Sequence, residues 1–279
     1  MPPRRLRLDA ELVRRGMARS REQASALIDQ GRVTVNGLVA LKPATSVTTD
    51  ADLVVRPDEQ DPGFASRGGH KLAGALDDFT PLGLGIQGRR CLDAGASTGG
   101  FTDVLLRAGA AQVVAVDVGY GQLVWRLQQD PRVVVHDRTN VRDLTVEMIG
   151  GTVDLVVGDL SFISLEMVLP ALATVTKESG DLVLMIKPQF EVGRERLGKG
   201  GVVRDPDLRA EAVTAVLDRA ASLGWRPQAV TTSQLPGPSG NVEFFAWLRT
   251  DSAGMDPKGI RRVVVDRRRL SVPDESVVP

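Results

Sequence analysis

The sequence predicts an α/β protein in which a small α+β domain precedes a mostly parallel sheet covered by helices on both faces. Beyond residue 90, short apolar segments alternate with helical segments, which is typical of such a sheet. Before residue 56, two helical segments lead into β-branched residues and an Asn-Gly turn. The 279 residues leave room for one mid-sized domain and one small domain.

Composition excludes several classes of protein. The 35 basic and 35 acidic residues balance, so any basic surface for a nucleic acid must be local. The single cysteine, Cys91, excludes a disulfide framework or a cysteine zinc site within the chain, and two histidines offer little to a metal. No segment reaches the roughly 18 apolar residues that span a bilayer. We therefore expect a cytoplasmic, monomeric protein with no metal and no membrane partner.

The first domain, residues 1–55, is expected to begin with two helices. Apolar residues at helical spacing indicate the first helix, namely Leu6, Leu8, Leu12 and Val13. Ser20 starts the second helix, with Glu22 and Gln23 in its first turn. Strands are then expected at Val33–Val35, Val47 and Val54–Val55, with a tight turn at Asn36-Gly37.

This domain carries a local excess of positive charge. Between Arg5 and Lys42, eight basic residues stand against four acids, a net charge of +4. The arginines could merely solvate a surface, or they could bind RNA phosphates, whose geometry suits a guanidinium fork. The spacing G-x-A-x-S-R-x-x-A-x-x-L-I-x-x-G-x-V-x-V-N-G resembles the S4 RNA-binding domain, which favours RNA. The expected contacts are Arg5, Arg7, Arg14, Arg15, Arg19, Arg21 and Arg32, with Arg67 further along the chain.

Residues 56–64 are interpreted as an interdomain linker because they are polar and hold two prolines and a glycine. The glycine pair Gly68-Gly69 then precedes a helix and could expose backbone N–H groups near Lys71. Residues 251–279 are expected to form a basic C-terminal tail, either a solvated and partly disordered end or a second phosphate-contacting arm. Both interpretations predict that truncation after Thr250 spares the fold.

The second domain, residues 65–250, alternates strands and helices. Strands are expected at residues 91–94, 112–117, 132–136, 153–157, 181–186, 228–232 and 242–248. Helices are expected at residues 101–108, 122–128, 165–176 and 206–223, with one more at helical spacing after Lys71. Sheets of this kind bind ligands beyond the carboxyl ends of their strands.

Glycines and an acid lie where such a ligand would bind. Gly95, Gly99 and Gly100 follow the first strand and let a ligand approach the backbone. Asp117 closes the second strand, 22 residues after Gly95, and could accept both hydroxyls of a ribose. The alternative is a glycine-rich turn without a ligand.

The loop favours S-adenosylmethionine over NAD. Its pattern G-x-x-x-G-G departs from the G-x-G-x-x-G of dinucleotide sites. Asp93, placed in the loop, would repel a pyrophosphate but attract an ammonium or sulfonium. Asp137 could accept from the adenine amine, although Asp137 or Asn140 could instead cap the next turn. The candidate cofactor residues are Asp93, Gly95, Ser97, Thr98, Gly99, Gly100, Phe101, Asp117, Asp137 and Asp159.

Charged residues also occur at three other strand ends. Asp159 follows the fourth strand, Lys187 leaves the fifth, and Glu243 enters the last. An ammonium at such a place loses hydration unless it is paired or functional. These residues and Lys71 could therefore gather at one edge of the sheet, or each could be an ordinary surface or salt-bridge residue. Base methylation is disfavoured, because the loop at Asp159 lacks an Asn/Asp-Pro-Pro motif and Cys91 lies within a strand.

The motifs R-G-G-x-K-L, L-D-x-G-A-S-T-G-G-F-T, G-D-L-S-F, I-K-P-Q-F-E and G-N-x-E-F together resemble the TlyA family, over about residues 5 to 250. Its catalytic domain is similar to that of the FtsJ ribose methyltransferases, and its members often carry the label hemolysin. The resemblance implies a Rossmann-like, S-adenosylmethionine-dependent enzyme that methylates cytidine 2′-hydroxyls of 16S or 23S ribosomal RNA, or both, within ribosomal subunits. It also implies a catalytic tetrad of Lys71, Asp159, Lys187 and Glu243.

Under that interpretation, Lys187 orients and deprotonates the ribose hydroxyl, while Asp159 positions the lysine and stabilises the sulfonium end. Lys71 and Glu243 hold the ribose and keep Lys187 in its position. Two rival functions are a non-catalytic RNA-binding or ribosome-assembly factor that retains the cofactor fold, and a membrane-lytic protein. The second rival lacks an amphipathic or apolar segment of useful length.

Overall fold

The computed structural model describes residues 5–18, 20–56, 62–198 and 200–266. The chain divides into two compact units, the first ending at Gly63 and the second beginning at Phe64. The expected linker, residues 56–64, spans this division, and its residues 57–61 lie outside the described part of the chain. Among the described residues, no helix combines the length and apolar composition needed to cross a bilayer.

The first unit contains the two expected helices and the expected strands. Ser20 caps the second helix, because its Oγ accepts from Gln23 N at 3.1 Å. Asn36 and Gly37 adopt φ values of +49° and +81°, as a tight hairpin turn requires. The helices are α1 (Leu8–Arg14) and α2 (Arg21–Asp29), and the strands are β1 (Arg5–Arg7), β2 (Val33–Val35), β3 (Leu38–Val39), β4 (Ser46–Thr48) and β5 (Leu53–Val55).

These strands form two small antiparallel sheets. Strand β2 lies between β3 and β5, and β1 pairs with β4. The spacing of Leu6 suggested that it belongs to the first helix, but in the structure it belongs to a strand. Leu8 and Leu12 of α1 are fully buried and pack with Ile28 and Val33 in the core of this unit.

The predicted α/β class is confirmed in the second unit, whose described residues include a seven-stranded sheet of order β11-β12-β10-β9-β6-β7-β8. All neighbours are parallel except β12, which runs antiparallel to β10 and β11. The strands are β6 (Arg90–Ala94), β7 (Gln112–Val116), β8 (Val133–His136), β9 (Val153–Gly158), β10 (Thr176–Ile186), β11 (Arg226–Thr232) and β12 (Phe244–Arg249).

Helices cover both faces of this sheet, as the nearly continuous apolar strands require. On one face α6 and α8 bury side chains such as Leu169 and Val213, and on the other α3 and α4 bury Leu72 and Leu105. The helices are α3 (Arg67–Phe79), α4 (Gly100–Arg107), α5 (Trp125–Gln128), α6 (Leu165–Val175), α7 (Pro188–Glu191), α8 (Pro206–Ser222) and α9 (Pro257–Asp266).

Helix α9 differs from the expected tail. Val263 and Val264 are 8% and 0% exposed and pack into the core on the α6–α8 side of the sheet. Apolar residues occur at helical spacing here, so the segment buries one face while its basic residues remain outside. The expectation of a solvated tail rested on the charge of the segment and not on this spacing. Residues 267–279 lie outside the described part of the chain.

Candidate active site

The glycine loop between β6 and α4 lies against the residue that follows β9. Gly95 has φ +85°, and a Cβ atom on it would lie 2.9 Å from the carbonyl oxygen of Asp159. Only glycine fits both the left-handed backbone and this close approach. The loop and the end of β9 therefore form adjacent walls of one site.

Asp117 joins this loop to the one that follows β7. Its two carboxylate oxygens accept backbone hydrogen bonds from Ser97 and Gly119, each at 2.7 Å. Each oxygen retains capacity for another donor, because a carboxylate accepts about four hydrogen bonds. The acid thus shapes the loop and can still bind hydroxyl groups.

A cavity of about 460 Å³ opens between these loops, a volume that suits a small-molecule ligand. Its lining includes Gly95, Ser97, Asp117, Asn140, Asp159 and Phe162. Four of the ten candidate cofactor residues therefore face the cavity directly. Thr98, Gly99, Gly100 and Phe101 belong to the adjoining loop and the start of α4, and Asp93 and Asp137 are not part of the lining.

The sheet topology brings the predicted tetrad to the same edge. Gly158 pairs with Leu184, and Ile186 pairs with Phe244, so the residues next to these pairs share one edge. Because β12 is antiparallel, its first residues meet the last residues of β10. Asp159, Lys187 and Glu243 consequently lie at three neighbouring strand ends.

The four side chains form two ion pairs. Lys71 Nζ lies 2.5 Å from Glu243 Oε2, and Lys187 Nζ lies 2.5 Å from Asp159 Oδ1. The side chains of Lys71 and Lys187 are 9% and 7% exposed, and Glu243 is fully buried. Buried charges need such partners, because desolvation without pairing costs several kcal/mol. Asp159 is 23% exposed and faces the cavity, so the second pair is the one a ligand can reach.

Lys71 lies on helix α3, and the two glycines that precede it affect its position. The helix begins at Arg67, so Gly68 and Gly69 lie in its first turn and not before it. A Cβ atom on Gly69 would lie 2.5 Å from Phe64 Cβ and 3.1 Å from the carbonyl oxygen of Gly100. The glycines therefore allow close packing of α3 against α4, which sets the position of Lys71 above the sheet.

Two family models match the chain. The S4 domain model covers residues 6–53, and the FtsJ-like methyltransferase model covers residues 64–250. A relative from Mycobacterium tuberculosis, named 16S/23S rRNA (cytidine-2'-O)-methyltransferase TlyA, is 59% identical across 94% of this chain and 96% of its own. The chain belongs to the TlyA family of FtsJ-like methyltransferases.

Two other similarities extend over most of the chain. The Hemolysin A protein of Brachyspira hyodysenteriae is 37% identical and matches 86% of this chain and 98% of its own length. A solved structure from Streptococcus thermophilus, whose name refers to a hemolysin, superposes with a TM-score of 0.73 at 37% identity and covers 96% of each chain. Both similarities therefore extend beyond the methyltransferase unit into the first unit.

In this TlyA-family chain, Asp93 lies within strand β6, and its placement in the loop was wrong. Parallel pairing continues through Ala94, which keeps Asp93 between Ala115 and Val157. Its Oδ2 accepts from Thr102 Oγ1 at 2.7 Å, and its Oδ1 has no partner among the described residues. Burial raises the pKa of Asp93 to about 7. The acid therefore stands behind the glycine loop with one oxygen unused.

This burial gives a pH-dependent prediction. The folded pKa of Asp93 lies above the ordinary 3.8, so the folded state holds the proton more tightly, and the contribution of Asp93 to the free energy of unfolding falls as pH rises from about 4 to about 7. Asp93→Asn removes this linkage and keeps an acceptor for Thr102. The stability of the variant relative to the parent should therefore rise between about pH 4 and pH 7, by roughly a few kcal/mol. Urea denaturation of both proteins across this range measures the difference, and parallel pH dependences would contradict it.

The adenine-side candidates differ in their placement. Asp137 Oδ2 accepts from Gly121 N at 2.9 Å and thereby supports the loop after β7. Asn140 accepts from Arg142 N at 3.1 Å, as a cap of the following turn, and it lines the cavity. The alternative of capping is thus confirmed for Asn140, and of the two residues only Asn140 belongs to the cavity lining.

The arginines of the S4 unit are organised by two buried acids. Asp9 accepts from Arg7 and Arg21, and Glu11 accepts from Arg14 and Arg15. Arg14 and Arg15 lower the pKa of Glu11 to about 2 despite its burial. In the same way, Arg7 holds the pKa of Asp9 well below its usual range. The carboxylates therefore stay ionised and fix the guanidinium groups in place.

These arginines differ in how far they can reach a phosphate. The side chains of Arg7, Arg14 and Arg21 are more than half exposed. Arg15 is 22% exposed and donates to the carbonyl oxygens of Thr49 and Ala51, which gives it a structural role. Arg5 is exposed on β1, Arg32 donates to the Arg56 carbonyl oxygen, and Arg67 donates to that of Pro236. Arg19 lies outside the described residues.

Three side chains beside the tetrad were not singled out by the sequence analysis. Ser161 Oγ accepts from Lys187 Nζ at 2.9 Å, and Gln189 Nε2 donates to Glu243 Oε1 at 3.2 Å. Phe162 is 92% exposed and lines the cavity with a left-handed φ of +65°. Their presence in the motifs G-D-L-S-F and I-K-P-Q-F-E, next to Asp159 and Lys187, was the available signal.

Proposed function

We propose that this chain transfers a methyl group from S-adenosylmethionine to the 2′-hydroxyl of a cytidine in 16S ribosomal RNA, 23S ribosomal RNA or both, within ribosomal subunits. The observation that carries the proposal is the pairing of Lys187 with Asp159 at the wall of the cavity. The name of the Mycobacterium tuberculosis relative and the S4 match support an RNA substrate. A cytoplasmic location belongs to the same proposal, because the relative's name gives ribosomal RNA as its substrate.

The cavity fits S-adenosylmethionine. Gly95 leaves a space that a Cβ would fill, the unused Oδ1 of Asp93 lies behind the same loop, and Asp117 offers acceptors at the wall. Asp117 would hold the ribose hydroxyls of the cofactor, and Asp93 would favour its cationic end. Further cofactor contacts are assigned to Ser97, Thr98, Gly99, Gly100, Phe101, Asp137 and Asp159. When bound, the cofactor supplies a methyl group activated by a sulfonium.

The chain must orient the ribose hydroxyl and remove its proton, since a protonated hydroxyl is a poor nucleophile. Lys187 is assigned this role: its Nζ, in the unprotonated form, accepts the proton of the hydroxyl oxygen. Asp159 and Ser161 hold Nζ from two directions. Glu243, which also accepts a hydrogen bond from Gln189, holds Lys71 in place.

RNA phosphates are assigned to the exposed arginines of the S4 unit, Arg5, Arg7, Arg14 and Arg21, together with Arg19, Arg32 and Arg67. Buried acids preorganise two pairs of guanidinium groups in this unit, Arg7 with Arg21 and Arg14 with Arg15. Preorganised guanidinium forks bind phosphate with less loss of side-chain entropy than free ones. The S4 unit would therefore dock the RNA, while the methyltransferase unit acts on one ribose.

The reaction class is tested on isolated ribosomal subunits. With labelled S-adenosylmethionine, we expect label in RNA that survives alkali as a nuclease-resistant dinucleotide, because a 2′-O-methyl group blocks cleavage at that ribose. Mass spectrometry of the nucleosides should identify 2′-O-methylcytidine. Label on a base would contradict the proposed chemistry.

Asp117→Ala tests the cofactor site. Loss of a charged acceptor for two hydroxyls should weaken S-adenosylmethionine binding by about 1.5–3 kcal/mol, or roughly 10- to 150-fold. Calorimetric titration measures the affinity. Asp218→Ala, on the exposed face of α8, removes the same charge at a position outside the cavity lining and serves as the control. Equal affinities in the two variants would place the cofactor elsewhere.

A further inference from the structure

Two segments that carry the reactive residues are tied together at several points. We call residues 159–164 the acid loop and residues 187–191 the lysine segment. Lys187 Nζ binds Asp159 and Ser161 of the acid loop, and the rings of Phe162 and Phe190 lie 5.2 Å apart. A third contact, made by Glu191, has no part in the chemistry described above.

Glu191 anchors the end of the acid loop. Its Oε2 accepts from Ser164 Oγ at 2.6 Å, and its Oε1 accepts from Leu165 N at 3.1 Å. Ser164 is the residue that caps α6, because its Oγ also accepts from Glu166 N at 3.2 Å. The Glu191 carboxylate therefore joins the lysine segment directly to the first turn of α6.

The conformation of the acid loop makes this anchor consequential. The loop begins where Asp159 N donates to the Ala94 carbonyl oxygen at 3.1 Å, and it ends at Glu191. Between these ends Phe162 adopts a φ of +65°, a backbone conformation that residues other than glycine rarely adopt without support from their surroundings. A shift of the end at Ser164 would move Asp159 and Ser161 relative to Lys187.

The anchor itself is sheltered. Burial raises the pKa of Glu191, opposed by the hydrogen bonds from Ser164 and Leu165. Both carboxylate oxygens have donors, as a sheltered acid requires. A solvated cap needs no such arrangement, and Asp205, which caps α8 by accepting from Asp207 N at 2.9 Å, is exposed.

We propose that Glu191 is a positioning residue for methyl transfer, which holds the acid loop so that Asp159 and Ser161 meet Lys187. The proposal rests on the function assigned to these residues above. Glu191 acts through Ser164 and Leu165 and takes no part in the proton transfer. Loss of Glu191 should therefore lower kcat, because misplacement of a reacting group by about 1 Å can lower the rate about 100-fold.

The test compares three variants in the ribosomal-subunit assay. Glu191→Ala removes both hydrogen bonds and should lower kcat at least about 10-fold, with the S-adenosylmethionine Kd unchanged. Glu191→Gln should recover kcat to within about threefold of the parent, because the amide oxygen can accept from Leu165 N while the amide nitrogen donates to Ser164 Oγ. Asp205→Ala also removes a helix cap, but the hydrogen bond it loses is the one from Asp207 N and does not involve either segment, so its kcat should stay within about twofold.

Thermal unfolding of each variant sets an assay temperature at which all are folded. The inference is overturned if Glu191→Ala keeps kcat near the parental value, if Glu191→Gln is as impaired as Glu191→Ala, or if Asp205→Ala loses as much as Glu191→Ala. Lys187→Ala is included as the zero point. A parent that forms no 2′-O-methyl product would refute the proposed function, whereas an active parent with an active Glu191→Ala would refute the positioning role alone.

Discussion

Replacing Lys187 with alanine should abolish methyl transfer while leaving the fold and the affinity for S-adenosylmethionine nearly unchanged. The side chain is 7% exposed and holds its Nζ against Asp159 and Ser161, at the cavity wall. Removing a general base typically lowers the rate about 10²- to 10⁴-fold. The assay is transfer of label to ribosomal subunits under single-turnover conditions, with cofactor affinity measured by calorimetry on the same preparation.

Lys187→Arg is the matched control, because it keeps the positive charge beside Asp159. A guanidinium remains protonated near neutral pH and cannot accept the hydroxyl proton, so this variant should be inactive as well. Its stability should exceed that of Lys187→Ala, which leaves Asp159 without its partner; because Asp159 is partly exposed, that loss should be modest. Substantial activity in either variant would remove Lys187 from the role of base.

The placement of the site could be predicted from the sequence because parallel strands end at a common edge. Asp117, Asp159 and Lys187 each follow an apolar segment, and the topology of an alternating α/β chain brings such residues together. Glu243 reaches the same edge only because the last strand runs antiparallel, and its position before β12 made that possible. Predicting that these residues lie at one edge of the sheet required no knowledge of side-chain conformation.

Other features depend on contacts that a linear pattern does not contain. Asp93 was placed in the loop because it precedes Gly95, but pairing of β6 with both neighbours extends the strand past it. The anchoring of Ser164 by Glu191 joins residues 27 positions apart through a short helix. Such contacts depend on the register of neighbouring elements and on rotamers, which the sequence specifies only through the complete fold.

The arginines of the S4 unit illustrate the same limit. Their charge was evident, but the burial of Asp9 and Glu11 beneath them was not. In a net charge, Asp9 and Glu11 simply subtract from the positive charge of the domain. In the structure they fix Arg7, Arg14 and Arg21 with their side chains still more than half exposed. A net charge therefore describes this surface less well than the geometry of its ion pairs.

Truncation after Thr250 should destabilise the methyltransferase unit, contrary to the expectation from charge. The cut removes α9, whose Val263 and Val264 are buried against the core together with the partly buried Met255 and Ile260. Burial of a valine contributes about 1.5–3 kcal/mol, so the two fully packed residues alone account for roughly 3–6 kcal/mol. That is a large share of the roughly 5–15 kcal/mol by which a typical domain is stable.

Truncation after Asp266 is the control for this experiment, because it keeps α9 and removes only residues 267–279. We expect its urea midpoint to match that of the full chain, while the chain ending at Thr250 unfolds at a much lower midpoint or is recovered unfolded. The ion pair between Arg261 and Asp207 contributes little to the difference, since both side chains are at least 60% exposed. The apolar face of α9 must therefore produce the loss, and Val264→Ala in the full chain should reproduce part of it. Equal midpoints for the two truncated chains would show that the core is complete without α9.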